Sequence, residues 1–132
     1  MVHPPQFDDA DSVLMRLREI CMVLPGADVK VSHGRPAFFT KKIFAVYGAV
    51  LKGEGHTGEF DKALVFMPDP EDAAAIAQDD RFFEPAYWGP YGWKAIDLGG
   101  KPDWEEVVEL VEASYRATAP KKLIFELDLV EP

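Results

Sequence analysis

Several stretches of this chain gather residue types that can do chemistry. Gly53-x-Gly55-x-x-Gly58 has the glycine spacing of a phosphate-cradling loop. A dinucleotide site needs a helix directly behind such a loop, so that amides at the helix N-terminus face the pyrophosphate. Phe60–Met67 alternates like a strand instead. A kinase-type glycine loop would need a lysine strand, a catalytic loop and a metal-binding aspartate, which this chain lacks. The spacing therefore predicts a glycine-rich hairpin tip. His56, Glu59 and Asp61, and further back Asp8, Asp9 and Asp11, are metal-capable donors. The first set matches no tight ligand pattern. The three aspartates serve equally well to start a helix, where anions are stabilised. Cys21 sits among apolar residues and reads as packing. Ser32 beside His33 lacks the third group that orients a base. The expectation is a protein that is not an enzyme and carries no cofactor.

Contact with an anion is the better-supported chemistry. Residues 29–53 hold Lys30, Arg35, Lys41, Lys42 and Lys52 and no carboxylate. Arg35, in the turn His33-Gly34-Arg35-Pro36, carries a planar fork suited to a phosphate or carboxylate. Lys121 and Lys122 form a second basic pair. Tyr87–Leu98, YWGPYGWKAIDL, is an aromatic, glycine-rich turn that runs into an alternating strand. In that strand Trp93 and Ala95 point one way, and Lys94, Ile96 and Leu98 the other. Trp93 reads as core, and Trp88 and Tyr91 as surface rings able to stack on bases. The reading places His33, Arg35, Lys41, Lys42, Lys121 and Lys122 on phosphates of a nucleic acid, with Trp88 or Tyr91 stacking. Alternatively, the aromatic groove around 87–93 seats a protein or a small anionic ligand.

The charge balance limits such contacts to short range. The net charge is −9. Residues 1–60 carry seven cations and seven acids, and residues 61–132 seven cations and sixteen acids, so the excess lies in the second half. An acidic body repels a polyanion at a distance while a local basic strip can still touch one. At 132 residues the chain is long enough for one domain. No apolar run reaches the roughly 18–20 residues that span a bilayer. The first residues lack the bases of a targeting peptide, and one cysteine allows no internal disulfide. These features predict a cytoplasmic protein with no membrane contact.

The elements that must position these groups follow from periodicity. A helix capped by Asp8 or Asp9 is predicted to about Leu24, with Val13, Leu17, Ile20, Cys21 and Leu24 on its buried side. Strands are predicted at Val29–Val31, Ala37–Thr40, Ile43–Leu51 and Lys62–Met67, with a tight connection at Lys41-Lys42 and a bulge at Gly48. Asp69 and Pro70 predict a short helix ending near Gln78. A long helix begins after Asp103, with Trp104, Val107, Val108, Val111 and Tyr115 buried, and stops at Pro120. Residues 1–6 and 124–132 read as tails. The order predicts an α+β domain, an antiparallel sheet with helices on one face.

Five motifs at fitting intervals then resemble one family. They are Leu24-Pro25-Gly26, His33-Gly34-Arg35-Pro36-Ala37-Phe38, Lys42-Ile43-Phe44-Ala45, Gly89-x-x-Gly92-Trp93, and Ser114-Tyr115 with Ala119-Pro120-Lys121-Lys122. Over about residues 10–123 the chain resembles the MmcQ/YjbR family. The resemblance implies a fold similar to the frataxin/CyaY type and the label of a double-wing DNA-binding protein. By the same likeness, Asp8, Asp9 and Asp11 invite comparison with an iron-contacting acidic ridge. Related sequences often place a basic or imidazole residue between the two glycines of the central turn, where this chain has Pro90-Tyr91.

Overall fold

The computed structural model describes residues 7–50 and 59–130. The Gly53–Gly58 spacing, His56, Lys52 and residues 1–6 lie outside them. In chain order the elements are α1 (Ser12–Met22), β1 (Asp28–Ser32), β2 (Arg35–Phe39), β3 (Ile43–Val50), β4 (Glu59–Phe66), α2 (Ala73–Ala77), β5 (Phe82–Phe83), β6 (Lys94–Asp97), α3 (Trp104–Thr118) and α4 (Lys121–Val130). A 3-10 turn, Gly89–Tyr91, precedes β6. The six strands form one antiparallel sheet in the order β1-β2-β3-β4-β6-β5. The α+β class holds.

Both sheet faces are buried, by different means. One face packs Phe38, Tyr47, Leu64, Phe66, Ile96 and Leu98 against Leu14, Leu17 and Cys21 of α1, Ile76 of α2, Val107, Val111 and Tyr115 of α3, and Leu127 of α4. All four helices lie on this face. The opposite face is a second, smaller core of Ala37, Val46, Ala49, Ala63, Val65, Trp93 and Ala95, with Phe60, Phe83 and Trp88 against it. β6 serves both: Ala95 faces the small core and Ile96 the large one, as its alternation predicts.

Four local expectations need correction. The α1 cap is Asp11, not Asp8 or Asp9, and accepts from the Val13 amide at 2.9 Å. Asp8 instead closes a turn, accepting from the Ala10 amide. Asp69 and Pro70 also close a turn first, with the Glu71 amide on Asp69 Oδ1, so α2 starts only at Ala73. Lys121–Val130 is a helix, not a tail, because Leu123, Ile124 and Leu127 recur at helical spacing and dock on the large core. Finally, Val108 is exposed, and Ser114 takes a place in the buried stripe of α3.

Ser114 is wholly buried, and its hydroxyl is used twice. It donates to the Phe44 carbonyl at 2.5 Å and accepts from the Met67 amide at 2.9 Å. One side chain thus bolts α3 to the start of β3 and the end of β4. Ser114→Ala strands the Met67 amide and should lower unfolding free energy by about 1–3 kcal/mol. Urea denaturation would measure it; an unchanged midpoint would mean the amide finds another acceptor. Next to it, the Tyr115 hydroxyl donates to the Pro25 carbonyl at 2.7 Å, tying α3 to the α1–β1 turn. Burial raises the Tyr115 pKa, with Glu126 acting in the same direction.

Candidate nucleic-acid interface

The β1–β2 hairpin closes through His33 and Gly34, both at positive φ (52° and 81°), a two-residue turn between the paired Ser32 and Arg35. Arg35 then enters β2 and is buried, 8% exposed. Its guanidinium lies across Gly48 and meets Asp61 at 3.3 Å. Gly48, at φ +104°, does not itself form the expected bulge: it faces one in β4, where three residues, 61–63, stand between the partners of Tyr47 and Ala49. The fork that the sequence assigns to a phosphate is thus buried across Gly48, with one contact to an exposed carboxylate. His33, exposed, stands at this same end of the sheet.

The other end of the sheet collects the remaining predicted residues. Lys41 and Lys42 form the β2–β3 connection, where the Thr40 amide bonds the Lys42 carbonyl, and both are exposed. Asp28 pairs with Phe39, so the preceding Gly26 borders this connection. Leu123 of α4 packs against Gly26, and Ser114 holds Phe44. These contacts bring the start of α4, with exposed Lys121 and Lys122, to the same end. β6 also begins here, since Lys94 pairs with Phe66 and Phe66 with Ala45, and Gly92 borders the Met67 thioether. The aromatic turn thus enters the sheet at this end, two strands or about 10 Å sideways from β3, although Ala86 at its start bonds Val50 at the other end of β3.

Six of the described cations are engaged with carboxylates: Arg16, Arg18, Arg35, Lys62, Arg81 and Arg116. Lys30 lies over the Phe39 ring at 4.7 Å. None of the ion pairs among the described residues uses Lys41, Lys42, Lys121 or Lys122. The helix dipole of α4 adds partial positive charge beside the latter two.

The aromatic turn has an inner and an outer set of rings. Trp88 packs on Trp93, ring centroids 5.0 Å apart, and both belong to the small core. The alanines of that core leave room for them. The segment is pinned where the Ala86 amide donates to the Val50 carbonyl (2.7 Å) and the Gly89 amide to the Pro85 carbonyl (2.8 Å). Tyr91 points outward at 78% exposure, as does Tyr87 at 87%. Tyr87 did not stand out in the sequence, where it is one aromatic among four. Its exposure and its positive φ of 71° emerge only in three dimensions.

Other chemically capable groups are occupied. Asp9 pairs with Arg18, and Asp11 caps α1 while accepting from Tyr47 and Lys62. Among the described residues, no three of His, Cys, Asp and Glu are grouped to hold a metal ion. The Cys21 thiol is buried, and burial pushes its pKa up, so it stays protonated. A cleft of about 260 Å³ between α2 and α3 has an apolar floor that includes Phe66, Ile76 and Leu110. At its rim Arg81 bonds Asp79 and Glu106 at 2.8–3.2 Å. Those bonds hold the Asp79 pKa below 3.8. No helix among the described residues is long and apolar enough to cross a membrane.

Fold and surface together define a small α+β protein with one antiparallel sheet, helices on one face, and exposed lysines at one end of the sheet. Residues 22–117 match the YjbR family model, and the chain belongs to that family. The crystal structure of Deinococcus radiodurans protein DR2400, a DUF419 domain, is similar in fold. It aligns with a TM-score of 0.60 and 19% identity, covering 83% of this chain and 80% of that one. No curated protein matches the chain significantly.

Proposed function

We propose that this protein is a non-catalytic binding module that holds the phosphate backbone of a nucleic acid on the lysine-bearing end of its sheet. The observation that carries the reading is the gathering of Lys41, Lys42, Lys121 and Lys122, exposed and outside the described ion pairs, at one end of an otherwise acidic body. The family resemblance points the same way. Arg35 and His33 have no part in this contact. The net charge of −9 opposes approach at long range, so binding is weak and confined to low salt.

Four phosphate contacts predict that log K falls with log salt at a slope of about −3 to −4. Fluorescence anisotropy of a labelled oligonucleotide over a salt series would measure it. Lys41→Gln with Lys42→Gln should flatten the slope by about 2, while Arg35→Ala should leave it unchanged. Absence of binding at low salt, or a slope indifferent to the lysine changes, would overturn the reading. A second reading, a protein seated on the aromatic turn, draws on the exposure of Tyr87 and Tyr91. It predicts binding that ignores both lysines and salt.

A further inference from the structure

We infer that the strand taken by this site is single, with unpaired bases lying on the rings of Tyr87 and Tyr91. The inference rests on the polyanion reading above and adds the state of the nucleic acid to it.

The first ground is Tyr87 itself. A bulky residue at φ 71° sits in a backbone region that glycine fills at far lower cost. Strain of this kind persists only where the surroundings enforce it, and it gathers at binding sites. The ring gains nothing for the fold in return, being 87% exposed. Four residues on, Tyr91 offers a second ring to solvent from the 3-10 turn. Between them Trp88 faces inward on Trp93 and roots the segment, and the two backbone bonds at Ala86 and Gly89 brace it. The backbone that carries the two tyrosines is braced before any ligand arrives, which cuts part of the entropic cost of binding.

The second ground is what such rings can touch. In a duplex the base faces are already stacked on one another, whereas a single strand leaves them open to aromatic side chains. The third is charge. A single strand carries a lower charge density than a duplex, seen in its shallower salt dependence, about −0.7 against −0.9 per contact. A body of charge −9 therefore repels it less. The start of β6, which follows Tyr91, stands about two strand spacings from β3 at the lysine end, whereas Tyr87 follows Ala86, bonded to Val50 at the far end of β3, so one nucleic-acid strand must run along the sheet to meet both the lysines and Tyr87.

The test compares an oligo(dT) of about 12 nucleotides with a duplex of equal length at low salt, by anisotropy on the full chain. The single strand is expected to bind at least about fivefold tighter. Tyr87→Gly suits the local backbone, so it should keep or raise the melting temperature while weakening oligo(dT) binding about five- to tenfold. Tyr91→Leu should weaken it similarly. Equal or tighter binding of the duplex would overturn the strand assignment and leave the polyanion reading standing. Single-strand binding indifferent to both tyrosine changes would overturn the stacking. Failure of both nucleic acids to bind would overturn this inference together with the reading beneath it.

Discussion

Asp11→Ala should lower the unfolding free energy by about 3 kcal/mol, more than the loss of a helix cap explains. An N-cap aspartate is worth about 1 kcal/mol. Asp11 does more, because its carboxylate is only 12% exposed and joins three elements. Oδ1 accepts from the Val13 amide in α1 and from Lys62 Nζ in β4 at 3.0 Å, and Oδ2 accepts from the Tyr47 hydroxyl in β3 at 2.5 Å. Tyr47 is 1% exposed, so alanine at position 11 strands a buried hydroxyl, at about 1–3 kcal/mol. The half-exposed Lys62 adds little. Urea unfolding at neutral pH measures the total, and a loss near 1 kcal/mol would reduce Asp11 to an ordinary cap.

The same carboxylate gives the fold an acid limit. Burial alone would raise its pKa. The hydrogen bonds from Tyr47, Lys62 and Val13 outweigh burial and hold it below the ordinary 3.8. The folded value therefore lies under the unfolded one. Stability from this group is fully present above about pH 4 and drains away as pH falls through the folded value. Asp79, also lowered, contributes in the same window, so the informative quantity is a difference between two proteins. Asp11→Asn should lose less stability than the native chain between about pH 4 and pH 2. Parallel losses in the two proteins would assign the acid limit elsewhere. Tyr47 leans the opposite way: burial and then the Asp11 bond raise its pKa, so it stays protonated through the alkaline range.

The sheet was legible in the sequence because its signals are local. Alternation in β6 and the lysine turn between β2 and β3 each occupy a few neighbouring residues, whereas the bulge expected at Gly48 lies across from it in β4. What escaped was decided at long range. Asp8, Asp9 and Asp11 are equal as caps by type, and only Tyr47 and Lys62, 36 and 51 residues away, select Asp11. Ser114 is a polar residue in an apolar stripe, acceptable only because Phe44 and Met67 use its hydroxyl. α4 reads as a tail until a core exists for Leu127 to enter. The candidate site divides similarly. Its residue types were visible, but their grouping was not. Arg35 and Lys41 are six positions apart on one hairpin yet lie at opposite ends of the sheet, while Lys41 and Lys121, eighty apart, share an end.

That division makes Arg35 and Gly48 the sharpest test of which residues build and which bind. Gly48→Ala should cost about 3 kcal/mol, by two separable routes. The backbone at φ +104° charges any β-carbon about 1–2 kcal/mol. A methyl there would also overlap the Arg35 guanidinium and come within 2.8 Å of Arg35 Cδ and Cζ, an overpacking cost of about 1–3 kcal/mol. Arg35→Ala removes the second route alone. Its ion pair adds little to its own cost, since Asp61 is 68% exposed. The double variant should then be more stable than the sum of the two losses by about 1–3 kcal/mol. Such coupling would make the glycine the seat of the arginine, and the shared His-Gly-Arg motif a mark of construction. Additive losses would mean that the guanidinium moves aside freely, which would return Arg35 to the list of groups able to meet an anion.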